Sequence, residues 1–297
     1  VAGLENIAVS LVVPEGGAER QLISLTSDAP PLAAISIGGL DNADTATFAV
    51  PGMGTTTMGT DGWARAAQNI ADEQARYGPG ERHAVVAWIG YKAPPIPFFE
   101  GGLEVMANGF AEAGADNLAR DLIALDYVNQ DSDVSVVAHS YGTTTSSLAL
   151  VRDDVHVDRY VTLGSAGLPQ SIDAASDLHA DEVFSGQAQD VWAVDPAGGD
   201  QWAWTGRTSP AHPIDPMSTS FGSHRFSVAG GPDLNPVTDH GAITSNGTGY
   251  LDKRTESLRN VALATIGRAA SLSPYEIPGP TPLQQAIVGG LSHGPRY

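Results

Sequence analysis

The stretch Ser135-Val136-Val137-Ala138-His139-Ser140-Tyr141-Gly142-Thr143 decides the fold. A mostly apolar run leads into a serine, and a helix of small residues is predicted to follow it. Small residues stand two positions before the serine, at Ala138, and two positions after it, at Gly142. A nucleophile on a tight strand-to-helix turn needs such neighbours, because bulky side chains there would clash. The stretch therefore predicts a nucleophile elbow with Ser140 at its tip; the alternative is an ordinary turn serine.

Strand-like and helical segments alternate on both sides of this turn, which predicts an α/β protein with a mostly parallel central sheet and helices on both faces. The expected strands are Thr45–Val50, His83–Ile89, Val134–Ala138, Tyr160–Leu163, Val191–Val194 and His224–Val228. The expected helices are Trp63–Tyr77, Asn108–Asn129 and Glu256–Ala270.

Residues 1–270 are predicted to form a single domain, with residues 271–297 as a Pro/Gly-rich extension. Within the domain, residues 1–40 are expected to supply antiparallel edge strands. These strands are Ile7–Val13, Gln21–Thr26 and Leu32–Ile37. Only about 27 residues separate the strands expected at Tyr160–Leu163 and Val191–Val194, so no large cap domain is expected.

Composition narrows the classes of function. Acidic residues outnumber basic ones by 34 to 15, giving a net charge of −19, which repels phosphate backbones and disfavours nucleic-acid binding. The absence of cysteine excludes thiol catalysis and disulfides. No apolar run reaches the ~18–20 residues of a membrane span. The chain begins at Val1 without a signal-peptide pattern, and we expect a cytoplasmic or secreted protein of unspecified oligomeric state.

A serine hydroxyl needs a base, and in folds with this elbow the chain order is serine, acid, histidine. His240 lies in a loop between the last expected strand and the last expected helix, where the fold supplies its base. His139 is adjacent to the serine, but its backbone position should aim it away from the hydroxyl. Two aspartates could orient the base: we favour Asp200, which follows a flexible Gly-Gly turn, over Asp195.

Acyl transfer also needs hydrogen-bond donors for a tetrahedral oxyanion. The expected donors are the backbone N–H of Tyr141 and that of Met53, in the Gly-rich loop after the first buried strand. This loop lacks the Lys-Ser/Thr of a P-loop, which argues against nucleotide binding. Four aromatic side chains could line a substrate pocket or simply pack under loops. They are Phe98, Phe99, Trp202 and Trp204.

Four stretches of the chain resemble the actinobacterial α/β-hydrolase domains long catalogued as a family of unknown function. They are Val50-Pro51-Gly52-Met53-Gly54-Thr55-Thr56, Val86-Ala87-Trp88-Ile89-Gly90-Tyr91 followed by Pro94, Val137-Ala138-His139-Ser140-Tyr141-Gly142, and Ser257-Leu258-Arg259-Asn260. The resemblance covers about residues 30 to 270. It implies an α/β-hydrolase fold with Ser140, Asp200 and His240 as a catalytic triad.

The residues together predict a serine hydrolase that cleaves carboxylic esters of small-molecule substrates and requires no metal or organic cofactor. Other uses of the same triad remain open at this point, because the choice of leaving group depends on pocket shape. They are amide or peptide hydrolysis and acyl transfer. A hydrolase-fold binding module without activity is the alternative from a different class.

Overall fold

The computed structural model describes residues 1–97 and 102–292, and within them eight strands form one sheet. The strands are β1 (Arg20–Leu25), β2 (Ala33–Ile37), β3 (Thr45–Val50), β4 (His83–Ile89), β5 (Asp133–His139), β6 (Val157–Leu163), β7 (Ala180–Gly186) and β8 (His224–Phe226). Their spatial order is β1-β2-β4-β3-β5-β6-β7-β8. β2 pairs antiparallel with both β1 and β4, and the remaining pairs are parallel. The expected mostly parallel sheet is confirmed.

Helices cover both faces of the sheet. They are α1 (Ala2–Ser10), α2 (Thr60–Tyr77), α3 (Gly109–Val128), α4 (Gly142–Leu150), the single-turn α5 (Ala203–Gly206), α6 (Glu256–Thr265) and α7 (Pro282–Ser292). On one face α2 packs against α6, and on the other α3 packs against α4. The central strands are apolar almost throughout because they are buried on both faces.

Two expected strands are absent from the described residues, and each has a physical reason. Ile7–Val13 is not a strand: it overlaps α1, whose buried residues Gly3, Ile7 and Ser10 recur at helical spacing. A short apolar run does not by itself distinguish the two periods. Val191–Val194 is irregular, with Trp192 and Val194 exposed, and the strand beside β6 is β7 instead.

The sequence pattern did not predict β7, because the first half of this strand is polar. Asp181 lies at this outer end, whereas Val183 and Phe184 are buried. The connection from β6 to β7 is short, and within residues 1–97 and 102–292 it contains no large inserted domain. In the same part of the chain, every helix is too short or too polar to cross a membrane.

The C-terminal extension contains α7 and is attached to the loop that follows β7. The Thr281 hydroxyl donates to the Asp195 carboxylate, and the Gln284 amide donates to the Asp190 carbonyl at 2.8 Å. The Gln189 amide donates in turn to the Gly279 carbonyl at 2.7 Å. This part of the tail therefore packs against the domain; the boundary at residue 270 stays a prediction.

Substitution of Gly142 tests whether close packing requires glycine at the turn from β5 into α4. A Cβ atom added at Gly142, the first residue of α4, would lie 2.5 Å from the Pro51 carbonyl oxygen, whereas nothing lies within 4 Å of one added at Gly109, the first residue of α3. Gly142→Ala is expected to lower the free energy of unfolding by about 1–3 kcal/mol through overpacking. Gly109→Ala, the matched control, should be neutral or slightly stabilising. Urea unfolding checks both, and equal effects would contradict the argument.

Candidate active site

Ser140 occupies a strained turn between β5 and α4. Its φ of 57° lies in the left-handed region that non-glycine residues rarely adopt. The neighbouring chain holds this conformation: the Ser140 N–H donates to the Leu163 carbonyl at 3.0 Å, and the Ser140 carbonyl accepts from the Thr143 hydroxyl at 2.7 Å. The turn places the Ser140 side chain at the carboxyl end of β5.

A glycine in the loop after β3 allows that loop to reach the serine. A Cβ atom at Gly52 would lie 2.5 Å from the Ser140 Cβ, so only glycine fits while both backbones keep their places. The same loop is tied down by the Gly54 N–H, which donates to the Pro94 carbonyl at 2.8 Å. The sequence motif around Gly52 therefore has a steric cause.

The structure brings Ser140, His240 and Asp200 into one hydrogen-bonded chain. His240 Nε2 lies 2.8 Å from Ser140 Oγ, although the two residues are 100 positions apart. His240 Nδ1 lies 2.8 Å from one carboxylate oxygen of Asp200 and 2.9 Å from the other. All three side chains are buried. A neutral imidazole here can donate from Nδ1 to the carboxylate and accept the serine proton at Nε2.

The Asp200 carboxylate is buried and ionised. Burial alone would raise the pKa of Asp200. The adjacent His240 imidazole and the hydrogen bonds that the carboxylate accepts instead lower this pKa to about 2. Its donors include the backbone N–H groups of Trp202 and Ala203, at 2.9 and 2.8 Å. A fixed negative charge thus faces the base and would stabilise a positive imidazolium.

Two further residues support this arrangement: Tyr250, which the sequence analysis did not assign, and His139, which it expected to point away from the serine hydroxyl. The Tyr250 hydroxyl donates to Asp200 Oδ2 at 2.7 Å and accepts from the Ala188 N–H at 2.9 Å. His139 Nε2 lies 2.7 Å from the His240 carbonyl, to which it can donate. Adjacency to the serine singles out His139, whereas nothing in the local sequence marks Tyr250, because its partner comes from tertiary packing.

Two other aspartates, the alternative acid Asp195 and Asp239 next to His240, make different contacts. Asp195 accepts from the Ala197 N–H at 3.0 Å and from the Thr281 hydroxyl, and Asp239 accepts from the Gly241 N–H at 2.7 Å. Within the described part of the chain, neither carboxylate forms a hydrogen bond with His240. Asp195 and Asp239 thus stabilise turns, as short acidic side chains commonly do.

The expected oxyanion donors lie beside the serine. Tyr141 directly follows Ser140, and Met53 lines the same cavity as Ser140. Among residues 1–97 and 102–292, neither the Met53 N–H nor the Tyr141 N–H has a hydrogen-bond acceptor. The Tyr141 side chain points elsewhere and donates its hydroxyl to the Ala107 carbonyl. The role of these two N–H groups as oxyanion donors stays a prediction.

Two cavities open at Ser140. One of about 400 Å³ is bordered by the Gly-rich loop, by His240 and by the start of α2, and one of about 170 Å³ is bordered mainly by apolar side chains. Trp202 lines both. Trp204 lines neither, and its indole N–H donates to the Val191 carbonyl at 2.9 Å. Phe98 and Phe99 lie outside the described residues.

Metal-ligating side chains are not clustered in the part of the chain that the structure describes. Across residues 1–97 and 102–292, no group of three or more histidine, aspartate or glutamate side chains is placed to hold a metal ion.

His139 makes the free energy of unfolding of the protein dependent on pH. Burial, and next the neighbouring His240 imidazole, lower the pKa of His139 from 6.5 to about 3. The unfolded chain therefore takes up a proton that the folded chain excludes. The stabilisation is complete above pH 6.5 and is lost as the pH falls towards 3.

When the pH is lowered from about 8 to about 5.5, protonation of His139 in the unfolded chain should lower the free energy of unfolding by about 1 kcal/mol. In urea unfolding, the free energy of unfolding of His139→Gln should change by about 1 kcal/mol less than that of the wild type over this pH range. His224→Gln, which removes an exposed histidine, should keep the wild-type slope. A wild-type slope in His139→Gln would contradict the neutral state of His139.

Relatives with similar sequences come from mycobacteria, as the actinobacterial resemblance predicts. Uncharacterized protein Rv2079 of Mycobacterium tuberculosis (strain ATCC 25618 / H37Rv) is 29% identical over 265 residues, which cover 81% of this chain and 38% of that protein. Uncharacterized protein Rv0963c of the same strain is 31% identical over 146 residues, covering 46% of this chain and 52% of that protein. The chain thus spans about two fifths to one half of these relatives.

Solved structures with a similar arrangement include two from archaea. The hyperthermophilic esterase from Pyrobaculum calidifontis aligns with a TM-score of 0.48 at 12% identity, over 92% of this chain and 91% of that one. A predicted CIB-like hydrolase from Thermoplasma acidophilum aligns with a TM-score of 0.45 at 14% identity, over 83% and 97%.

The family assignment comes from the sequence itself. The family described as Alpha/beta hydrolase matches residues 28–198, a range that includes β2 to β7 and the elbow at Ser140. That range is more than half of the chain, and the fold and the serine turn agree with it. The protein therefore belongs to the alpha/beta hydrolase family.

Proposed function

We propose that this domain is a serine hydrolase that cleaves carboxylic esters through an acyl-enzyme intermediate on Ser140. One observation carries the proposal: an unbroken hydrogen-bonded chain runs from the Ser140 hydroxyl through both ring nitrogens of His240 to the ionised Asp200. A nucleophile, its base and the group that orients the base are the minimum set for such chemistry.

Acylation begins when His240 Nε2 takes the Ser140 hydroxyl proton while Oγ bonds to the ester carbonyl carbon. The carbonyl π electrons move onto oxygen, and this oxyanion accepts hydrogen bonds from the N–H groups of Met53 and Tyr141. When the carbonyl re-forms, the bond from carbon to the alcohol oxygen breaks with its electron pair. His240 then returns the proton to that oxygen, which leaves a neutral alcohol and an acyl group on Ser140.

Deacylation repeats these steps with water as the nucleophile. His240 takes a proton from water, the hydroxide oxygen bonds to the acyl carbon, and the bond to Ser140 Oγ breaks. The proton on His240 passes to Oγ, so the free acid leaves and the enzyme returns to its starting state. Throughout both halves Asp200 stays ionised and compensates the positive imidazolium.

Covalent labelling tests the nucleophile. A fluorophosphonate should modify the protein at one site with loss of fluoride, and Ser140→Ala should abolish labelling because the attacking oxygen is gone. Ser220→Ala, which removes an exposed hydroxyl, is the matched control and should label fully. Intact-protein mass spectrometry gives the stoichiometry. Failure of the folded wild type to label would favour a binding module without activity.

Substitution of the acid tests the orientation of the base. Asp200→Asn should lower kcat for a p-nitrophenyl ester by about 10⁴-fold, because an amide facing Nδ1 favours the tautomer that cannot accept the serine proton. Asp195→Asn should retain most of the activity, since the hydrogen-bond partners of its carboxylate among residues 1–97 and 102–292 are the Ala197 N–H and the Thr281 hydroxyl. The reverse ranking would assign the acid to Asp195. Parallel assays on p-nitroanilides distinguish ester from amide hydrolysis.

A further inference from the structure

The two cavities that open at Ser140 differ in chemistry. Both contact Met53, Ser140 and Trp202. The smaller one is otherwise bordered largely by apolar side chains, which include Leu103, Val105, Met106 and Ala166. The larger one has a mixed border, with apolar side chains such as Trp63, Ile96 and Ile243 and with polar ones: Thr55, Thr56, Gln201 and Asp239. A substrate whose reacting carbon sits on Ser140 can therefore place one half in each cavity.

The position of the base decides which half enters which cavity. In the proposed reaction the proton on His240 must reach the oxygen of the departing alcohol, so that alcohol has to lie on the side of His240. His240 borders the larger cavity and, among the described residues, is absent from the border of the smaller one. The alcohol thus belongs in the larger, more polar cavity and the acyl chain in the smaller, apolar cavity.

We propose that the substrates are esters of short, unbranched fatty acids with small polyhydroxy alcohols of the glycerol type. This inference rests on the proposed ester hydrolysis and adds the assignment of the two halves. The carboxylate of Asp239 at the larger cavity, together with the net charge of −19, disfavours an anionic alcohol. Hydroxyl groups of a neutral polyol match the threonine, glutamine and aspartate side chains there.

The size of the apolar cavity sets the length of the acyl chain. Its volume of about 170 Å³ accommodates about five groups of roughly 30 Å³, the share of a water molecule and close to that of a methylene. Each methylene buried there should improve kcat/KM by about fourfold. The gain should continue from acetate to about hexanoate and then stop.

A series of p-nitrophenyl esters from acetate to decanoate tests the acyl side, with kcat/KM as the readout. Ala166→Val narrows the apolar cavity and should lower the ratio of hexanoate to acetate by about tenfold. Met106→Ala widens the same cavity and should move the optimum to longer chains. Because these variants act in opposite directions, loss of folding in one still leaves the other informative. Tyr127→Ala, at an 84% exposed side chain in the last turn of α3, should keep the wild-type ratios.

The alcohol side is tested with monobutyrin and ethyl butyrate, which share an acyl group. Nothing lies within 4 Å of a Cβ atom placed at Gly62, a residue of α2 that borders the larger cavity. Gly62→Phe, whose Cβ has room, adds bulk at the border of this cavity and should lower the ratio of monobutyrin to ethyl butyrate by about tenfold. It should leave the ratio of hexanoate to acetate as in the wild type.

The outcomes separate this inference from the proposed function. Hydrolysis of acetate with a flat chain-length series would overturn the inference alone. The inference would also be overturned if Ala166→Val changed the ratio of monobutyrin to ethyl butyrate while Gly62→Phe changed the ratio of hexanoate to acetate. Absence of both ester hydrolysis and fluorophosphonate labelling would overturn the proposed function and the inference with it.

Discussion

The contact of 2.8 Å between His240 Nε2 and Ser140 Oγ is the interaction on which the rest of the site depends. It joins a turn at the end of β5 to a loop that follows β8. Each partner is fixed separately: Ser140 by the backbone of the elbow, and His240 by Asp200 on its ring and by His139 on its carbonyl. Precision at this contact is obtained from rigid strands and buried hydrogen bonds, which suits a group that must accept a proton without rearrangement.

Electrostatics and burial act against each other at Asp200. Removal from water disfavours its charge, and the site compensates by surrounding the carboxylate with the imidazole, two backbone N–H groups and the Tyr250 hydroxyl. A buried acid is stable as an anion only when its oxygens are satisfied in this way. The same shell orients the carboxylate towards His240 Nδ1, so neutralisation and positioning come from one set of contacts.

The sequence predicted most strands of the central sheet and the position of Ser140 because those features are local. His240 and Asp200 were instead inferred from the chain order of serine, acid and histidine, with Asp195 as an alternative. The strands around Thr45–Val50 and His83–Ile89 are continuous apolar runs, and the small neighbours of Ser140 follow from sterics at the elbow. Other features depend on distant partners. β7 is a strand because β6 pairs with it, and Tyr250 contacts Asp200 only because its loop folds over the acid. Neither relation leaves a pattern within a short window of sequence.

The positive φ of Ser140 has a consequence for the whole protein. Ser140 occupies a backbone conformation that non-glycine residues rarely adopt, at a cost of about 1–3 kcal/mol. A domain of ordinary stability has only about 5–15 kcal/mol in total. The densely packed strands on both sides of the elbow therefore have a second role besides forming a core: they supply the surplus stability that keeps an unfavourable turn folded.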